Sequence, residues 1–235
     1  MSGIAQNLSN VLTRVREAER RAFRDEMSVR LVAVSKFHPA SSVIEALEAG
    51  QILFGENRIQ EAAAKFDDVR SKGFSPSLHI IGSLQRNKVR EAVRIADCIE
   101  SVDRTALLEE IERHCAVAGR RISVLFEFRT GEDSKAGFTD EGCLREAVGR
   151  CAAGDFPHII PRGFMTMAPL TDDTALVRKS FVTLRNLRDK LQSEFTGLDL
   201  HELSMGMSGD SETASEEGAT IVRVGTAVFG ERASL

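Results

Sequence analysis

Lysine is scarce in this chain, with 7 residues against 24 arginines. One of the seven, Lys36, closes the apolar run Leu31-Val32-Ala33-Val34-Ser35. An amine desolvated at the end of a packed strand loses part of its preference for the charged form. It is then suited to imine formation with an aldehyde, which arginine cannot do. The competing reading is a strand-end lysine whose head snorkels to water or enters an ion pair. A second group of residues lies in LSMGMSGDSETA and the following TIVRVGTAVFG. Ser208 and Thr226 offer hydroxyls, while Gly209 and Gly225 let backbone N–H groups approach an anion closely. Each of these glycines, like Gly206, is equally explained by a tight turn. Arg223 stands two residues before Gly225, so within a strand both share a face. On an interior face a guanidinium needs a partner, either a heteroaromatic nitrogen or a structural Asp or Glu.

These residues need elements to position them. Ile4, Leu8, Val11, Leu12, Val15, Ala18 and Ala22 form the stripe of an amphipathic helix over 4–24. Eight short apolar runs follow, at 29–35, 52–57, 78–82, 98–103, 123–130, 159–168, 201–208 and 220–224. Helix-like stretches separate them, at 40–50, 58–71, 86–96, 104–119, 140–153, 172–195 and 212–218. Several runs are apolar throughout, as strands buried on both faces are, and one helix per strand implies parallel pairing. The expectation is an α/β fold, a single (β/α)8 TIM-type barrel with an extra N-terminal helix. One domain is expected over 1–235, with residues 1–27 packed on the barrel as that helix. A doubly wound open sheet is the alternative, and no GxGxxG follows the first run to support its dinucleotide version.

In such a barrel the active groups sit at the C-terminal strand ends, and the loops after strands seven and eight often bind phosphate. Lys36 ends the first strand, Ser208 the seventh, and Gly225-Thr226 the eighth. An imine-forming lysine, a phosphate cup and an interior cation facing a ring nitrogen together describe a pyridoxal phosphate (PLP) site.

Composition narrows the function classes. The 235 residues are 42% apolar and 28% charged, with a net charge of −4, so no bulk positive field is available for nucleic acid or an anionic membrane. No apolar run approaches the ~18 residues of a membrane span, and the first ten residues do not read as a secretory signal. Cys98, Cys115, Cys143 and Cys151 lack CxxC spacing and read as reduced, mostly buried thiols, so a cytoplasmic protein is expected. The chain has no Tyr and no Trp, which removes phenolic acid–base chemistry. Ser208 does not read as a hydrolase nucleophile, because Gly206-Met207-Ser208-Gly209-Asp210 lacks the last glycine of Gly-x-Ser-x-Gly. His114, His158 and His201 are scattered without ligand spacing, and Asp172-Asp173 suits a helix N-terminus better than a metal. Arg20-Arg21-Arg24 reads as a solvated helix face. Glu132-Asp133-Ser134-Lys135 reads as a charged loop over the barrel mouth, with Lys135 in a surface ion pair or a second resting place for cofactor.

The segments LVAVSKFHPA, FGENRIQEAAAK, HIIGSLQRNKVR, SVDR, TGEDSKAGF, GFMTMAP, LSMGMSGD and VRVGTAVFG, in this order, strongly resemble the pyridoxal phosphate homeostasis protein family. The resemblance covers about 29–230. That family looks like the barrel domain of alanine racemase without the second domain. The resemblance implies that Lys36 carries the Schiff base to PLP. It implies that Ser208, Gly225 and Thr226 hold the phosphate with Ser204 as a further member, and that Arg223 faces the pyridine nitrogen. Asn57, His79 and Met165 are implied to line the cofactor pocket. Two positions depart from the family pattern: Phe37-His38 follow Lys36, and Phe128 stands where an Asn is usual.

The implied function is a non-catalytic PLP-binding protein that buffers or delivers the cofactor and maintains vitamin B6 and amino-acid pools. Apo PLP-dependent enzymes are the partners this suggests. Nucleic acid and membrane are not, and a monomer is expected. The alternative is a weak PLP-dependent enzyme acting on amino acids. A two-base racemase of the related type would need a tyrosine that this chain lacks.

Overall fold

The strands of this protein are largely apolar on both faces, because one face packs on helices and the other fills the inside of a closed sheet. A computed structural model describes residues 3–131 and 136–231. Glu132, Asp133, Ser134 and Lys135, expected as a charged loop over the barrel mouth, lie outside the described residues. The chain begins with α1 (Gly3–Arg21). The strands are β1 (Arg30–Val34), β2 (Leu53–Glu56), β3 (Ser77–Ile80), β4 (Cys98–Val102), β5 (Ile122–Glu127), β6 (Ile159–Met165), β7 (Glu202–Ser204) and β8 (Ile221–Val224). They form a closed parallel barrel in sequence order, with Val32 of β1 opposite Arg223 of β8 at the closure. Between them run α2 (Ala40–Glu48), α3 (Ile59–Ser71), α4 (Val89–Ile95), α5 (Thr105–Ala118), α6 (Glu141–Ala152), α7 (Thr174–Glu194), α8 (Ser211–Glu216) and, after β8, α9 (Thr226–Phe229). The expected (β/α)8 barrel with an extra N-terminal helix is the observed architecture.

Two apolar layers result. Outward-facing Ala33, Phe54, Ile80, Ile99 and Phe126 join the helices in the larger cluster. Inward-facing Val32, Val34, Leu53, Cys98, Leu125, Met165 and Ile221 fill the barrel. The helix α1 lays Leu8, Val11, Val15 and Ala18 on this body, next to α8 and α9.

Some expectations change. α1 stops at Arg21, because Phe23 turns into the left-handed region at φ 53°. Arg20-Arg21-Arg24 is not a plain solvated face. Arg24 is half-buried and donates to the carbonyls of Ser215 and Ala219, while Arg21 pairs with Glu212 and Glu216. Only two of the four thiols, Cys98 and Cys115, are buried. The seventh strand ends at Ser204, since Gly206 takes φ 93° and leaves the sheet. Asp173 does cap α7, accepting from the N–H groups of Ala175 and Leu176. Among the described residues no helix is long and apolar enough to cross a membrane, and no cluster of three metal-ligating side chains occurs.

Candidate functional site

Alternation along a barrel strand sends every second side chain inward. The inward series Val32-Val34 continues to Lys36, and Ile221-Arg223 continues to Gly225. Above the apolar layer these residues open into a cavity of about 220 Å³ at the C-terminal end of the barrel. Six of the nine residues expected at the site line it: Lys36, Asn57, Ser208, Arg223, Gly225 and Thr226. Ile81 and Met167 add an apolar wall, and His38, stacked on Phe229 with centroids 5.1 Å apart, closes one side.

The other three residues lie elsewhere. Met165 is fully buried among the inward apolar side chains below the cavity. Ser204 is also fully buried, between Glu100, to which it donates at 2.5 Å, and Arg223, from which it accepts at 2.8 Å. His79 lines a different cavity at the opposite mouth. None of the three lines the upper cavity, because the β-strands are staggered and inward residues of different strands sit at different heights.

The peptide groups on both sides of Lys36 are held. Buried Lys65 of α3 donates to the Ser35 carbonyl at 2.8 Å and to Glu56 Oε1 at 2.8 Å. Ser35 Oγ donates to the same carboxylate oxygen at 2.7 Å. Glu61 Oε1 accepts from the Phe37 N–H at 2.8 Å, where Phe37 has φ 66° and lies under Arg58. Burial raises the Glu56 carboxyl above its usual range, against Lys65 and Ser35, which lower it. The sequence carries a signal for Lys65, which stands on the apolar face of α3 with Ala62, Phe66 and Val69.

The three glycines separate. Gly206 is the turn residue, with φ 93° and a hypothetical Cβ only 2.4 Å from that of Ala214. Gly225 has an ordinary φ, but a Cβ there would lie 3.1 Å from the Val34 carbonyl oxygen, so the closure of β8 on β1 leaves little room at the cavity edge. Gly209 faces open space.

Arg223 settles the question of its partner in part. Its guanidinium donates to Ser204 Oγ and to the Thr166 carbonyl, each at 2.8 Å, and is 4% exposed. Burial lowers its proton affinity, while Glu100, Glu127 and Asp210 raise it. Glu127, at the end of β5, is pushed up to about 7 by burial, against a lowering by Arg223.

The residues present fit a phosphorylated pyridine aldehyde. An amine, two hydroxyls and a buried guanidinium converge on one cavity. In its wall the Asn57 Oδ1 atom is buried without a hydrogen-bond partner, an unsatisfied polar group for a ligand to meet.

Known proteins similar to this chain identify its family. A family model described as alanine racemase, N-terminal domain, matches residues 6–233. The pyridoxal phosphate homeostasis protein of Aquifex aeolicus (strain VF5) is 39% identical over 228 residues, covering 97% of both chains. The structure of PipY from Synechococcus elongatus PCC7942 with PLP bound is 38% identical, with a TM-score of 0.84, covering 97% of this chain and 100% of that one. The same protein without PLP superposes with a TM-score of 0.87 at 37% identity and the same coverage. The chain therefore belongs to the alanine racemase N-terminal domain family and, within it, to the pyridoxal phosphate homeostasis proteins.

Proposed function

We propose that this protein binds PLP in the upper cavity, through Lys36, and acts as a non-catalytic holder of the cofactor. The observation that carries the reading is the convergence of Lys36, Asn57, Ser208, Arg223, Gly225 and Thr226 on one cavity. The PLP-bound PipY structure and the names of the curated relatives support it. Bound PLP supplies an aldehyde that condenses reversibly with an amine. Lys36 is the amine, held by the Lys65–Glu56–Glu61 frame. Ser208, Thr226 and the close backbone at Gly225 receive the phosphate, and Asn57 and His38 border the ring.

Arg223 would face the ring nitrogen and keep it from taking a proton. A cation there makes the ring a poorer electron sink, so carbanions at a bound amino acid gain little. The chain also contains no tyrosine to serve as a racemase base. The role that follows is buffering PLP or delivering it to apo-enzymes, and so sustaining vitamin B6 and amino-acid pools.

A second reading, weak catalysis on amino acids, has one observation in its favour. Glu127, which acts electrostatically on Arg223, is pushed up to about 7 by burial, and a carboxyl in that range is suited to moving a proton. Proton exchange at the α-carbon of amino acids in deuterated water, followed by NMR on the PLP-loaded protein, separates the two. The carrier reading expects exchange near the rate with free PLP. Exchange with racemisation at enzymatic rates would make the protein an enzyme.

A further inference from the structure

Below the upper cavity a line of polar side chains crosses the barrel to its other mouth. Arg223 Nη1 donates to Ser204 Oγ at 2.8 Å, and Ser204 Oγ donates to Glu100 Oε2 at 2.5 Å. Glu100 Oε1 is bonded to His79 Nδ1 at 2.6 Å. All four residues are buried. Arg223 lines the upper cavity, whereas His79 lines a separate one of about 410 Å³ at the N-terminal mouth, and the two share no lining residue.

One carboxylate thus serves two basic groups. Burial alone would raise the Glu100 carboxyl, but the His79 bond, the charges of His79 and Arg223, and the Ser204 bond outweigh it and hold it below the usual range. With His79 neutral, Glu100 and Arg223 compensate each other. With His79 charged, the line carries one uncompensated positive charge inside the barrel.

We propose that Glu100 is shared between His79 and Arg223, so that the charge on His79 at the lower mouth reaches the upper cavity through Ser204 and Arg223. His79 and Glu100 are then positioning residues for the cofactor, an inference that rests on the PLP reading above. Protonation of His79 draws on the Glu100 charge and leaves Arg223 less compensated, which tightens the hold on an anionic ligand. By linkage, an anionic ligand above raises the proton affinity of His79 below. Imidazole is the side chain whose ordinary titration falls near neutrality.

Other charges face this line. Arg30, Asp97, Cys98, Arg162, His201 and Glu202 share the cavity of His79, and Glu202 pairs with both Arg30 and His201. Glu127 and Asp210 act on Arg223 besides Glu100. His201 lines the same cavity as His79, so the measurement has to resolve individual imidazoles.

The test is the pH titration of the His79 ring signals by NMR. In the protein without cofactor, Glu100→Gln should lower the His79 midpoint and Arg223→Gln should raise it. Each shift should be about 0.3 pH unit or more, roughly twofold in proton affinity. The opposite signs keep the test decisive if one variant fails to fold. Saturating PLP should raise the wild-type midpoint by a similar amount. His79→Gln should remove a component of about two- to tenfold from the change in PLP affinity between about pH 6 and 8. A midpoint that stays in place while the absorption of bound PLP records full occupancy overturns the proposal, as does a His79→Gln protein with the wild-type pH profile. Failure of the wild type to take up PLP at all overturns the cofactor reading instead, and the two substitutions still decide whether the line is coupled.

Discussion

Lys65, on the third helix, holds the peptide that leads into Lys36: its Nζ donates to the Ser35 carbonyl oxygen at 2.8 Å. The same ammonium is the cation beside Glu56, whose second carboxylate oxygen is buried without a partner. The site lysine therefore depends on a second, buried lysine that is itself sealed from the cavity.

Replacing Lys65 by Met removes the cation and leaves the buried Glu56 carboxyl with the Ser35 hydroxyl but no counter-charge. Breaking one side of a buried pair costs about 3–5 kcal/mol. Glu56 can escape part of that cost by taking up a proton, so the loss in urea unfolding should be largest near pH 8 and smaller near pH 5. Adding Glu56→Gln to Lys65→Met should recover part of it. An unchanged unfolding midpoint at pH 8 would contradict this account of the frame.

Phosphate contacts should dominate retention of the cofactor. A hydrogen bond to a charged group contributes about 1.5–3 kcal/mol. Ser208→Ala should therefore weaken PLP binding about tenfold or more, as read by equilibrium dialysis. Pyridoxal, which lacks the phosphate, should bind wild type far more weakly than PLP does. Equal affinity for the two compounds would remove the phosphate cup from the account.

Glu127 makes stability depend on pH in a stated direction. Its folded carboxyl is pushed up to about 7 from an ordinary 4.5, by burial above all. Between these values the unfolded chain releases a proton that the folded protein keeps, so folding stability falls as pH rises through this window and levels off above about 7. At about 1.4 kcal/mol per pH unit, the loss is about 3 kcal/mol. Glu127→Gln should remove that slope in chemical denaturation measured between about pH 5 and 8. A variant with the wild-type slope would assign it to another group.

The architecture is legible in the sequence because a barrel strand must be apolar on both faces and be followed by a helix. Eight strand-like runs with seven helix-like stretches between them repeat that alternation along the chain. The upper cavity is legible where parity along one strand suffices, as for Lys36 above Val34 and Gly225 above Arg223. Height within the barrel is not. His79 and Arg223 both point inward, yet one borders the lower cavity and the other the upper, because register with neighbouring strands sets the level of each. Nor does a sequence show who meets whom across the barrel, so Glu100 on β4 as the counter-charge of Arg223 on β8 becomes visible only in the folded chain.

In the proposed complex PLP is held by Lys36. Borohydride reduction of the PLP-loaded protein, followed by peptide mapping, tests it most directly. Reduction should remove the absorption near the violet edge of the visible and fix a pyridoxyl group on the peptide that contains Lys36, and Lys36→Ala should abolish both the absorption and the modification. A pyridoxyl group found only at Lys88 or Lys135, with Lys36 unmodified, would contradict it.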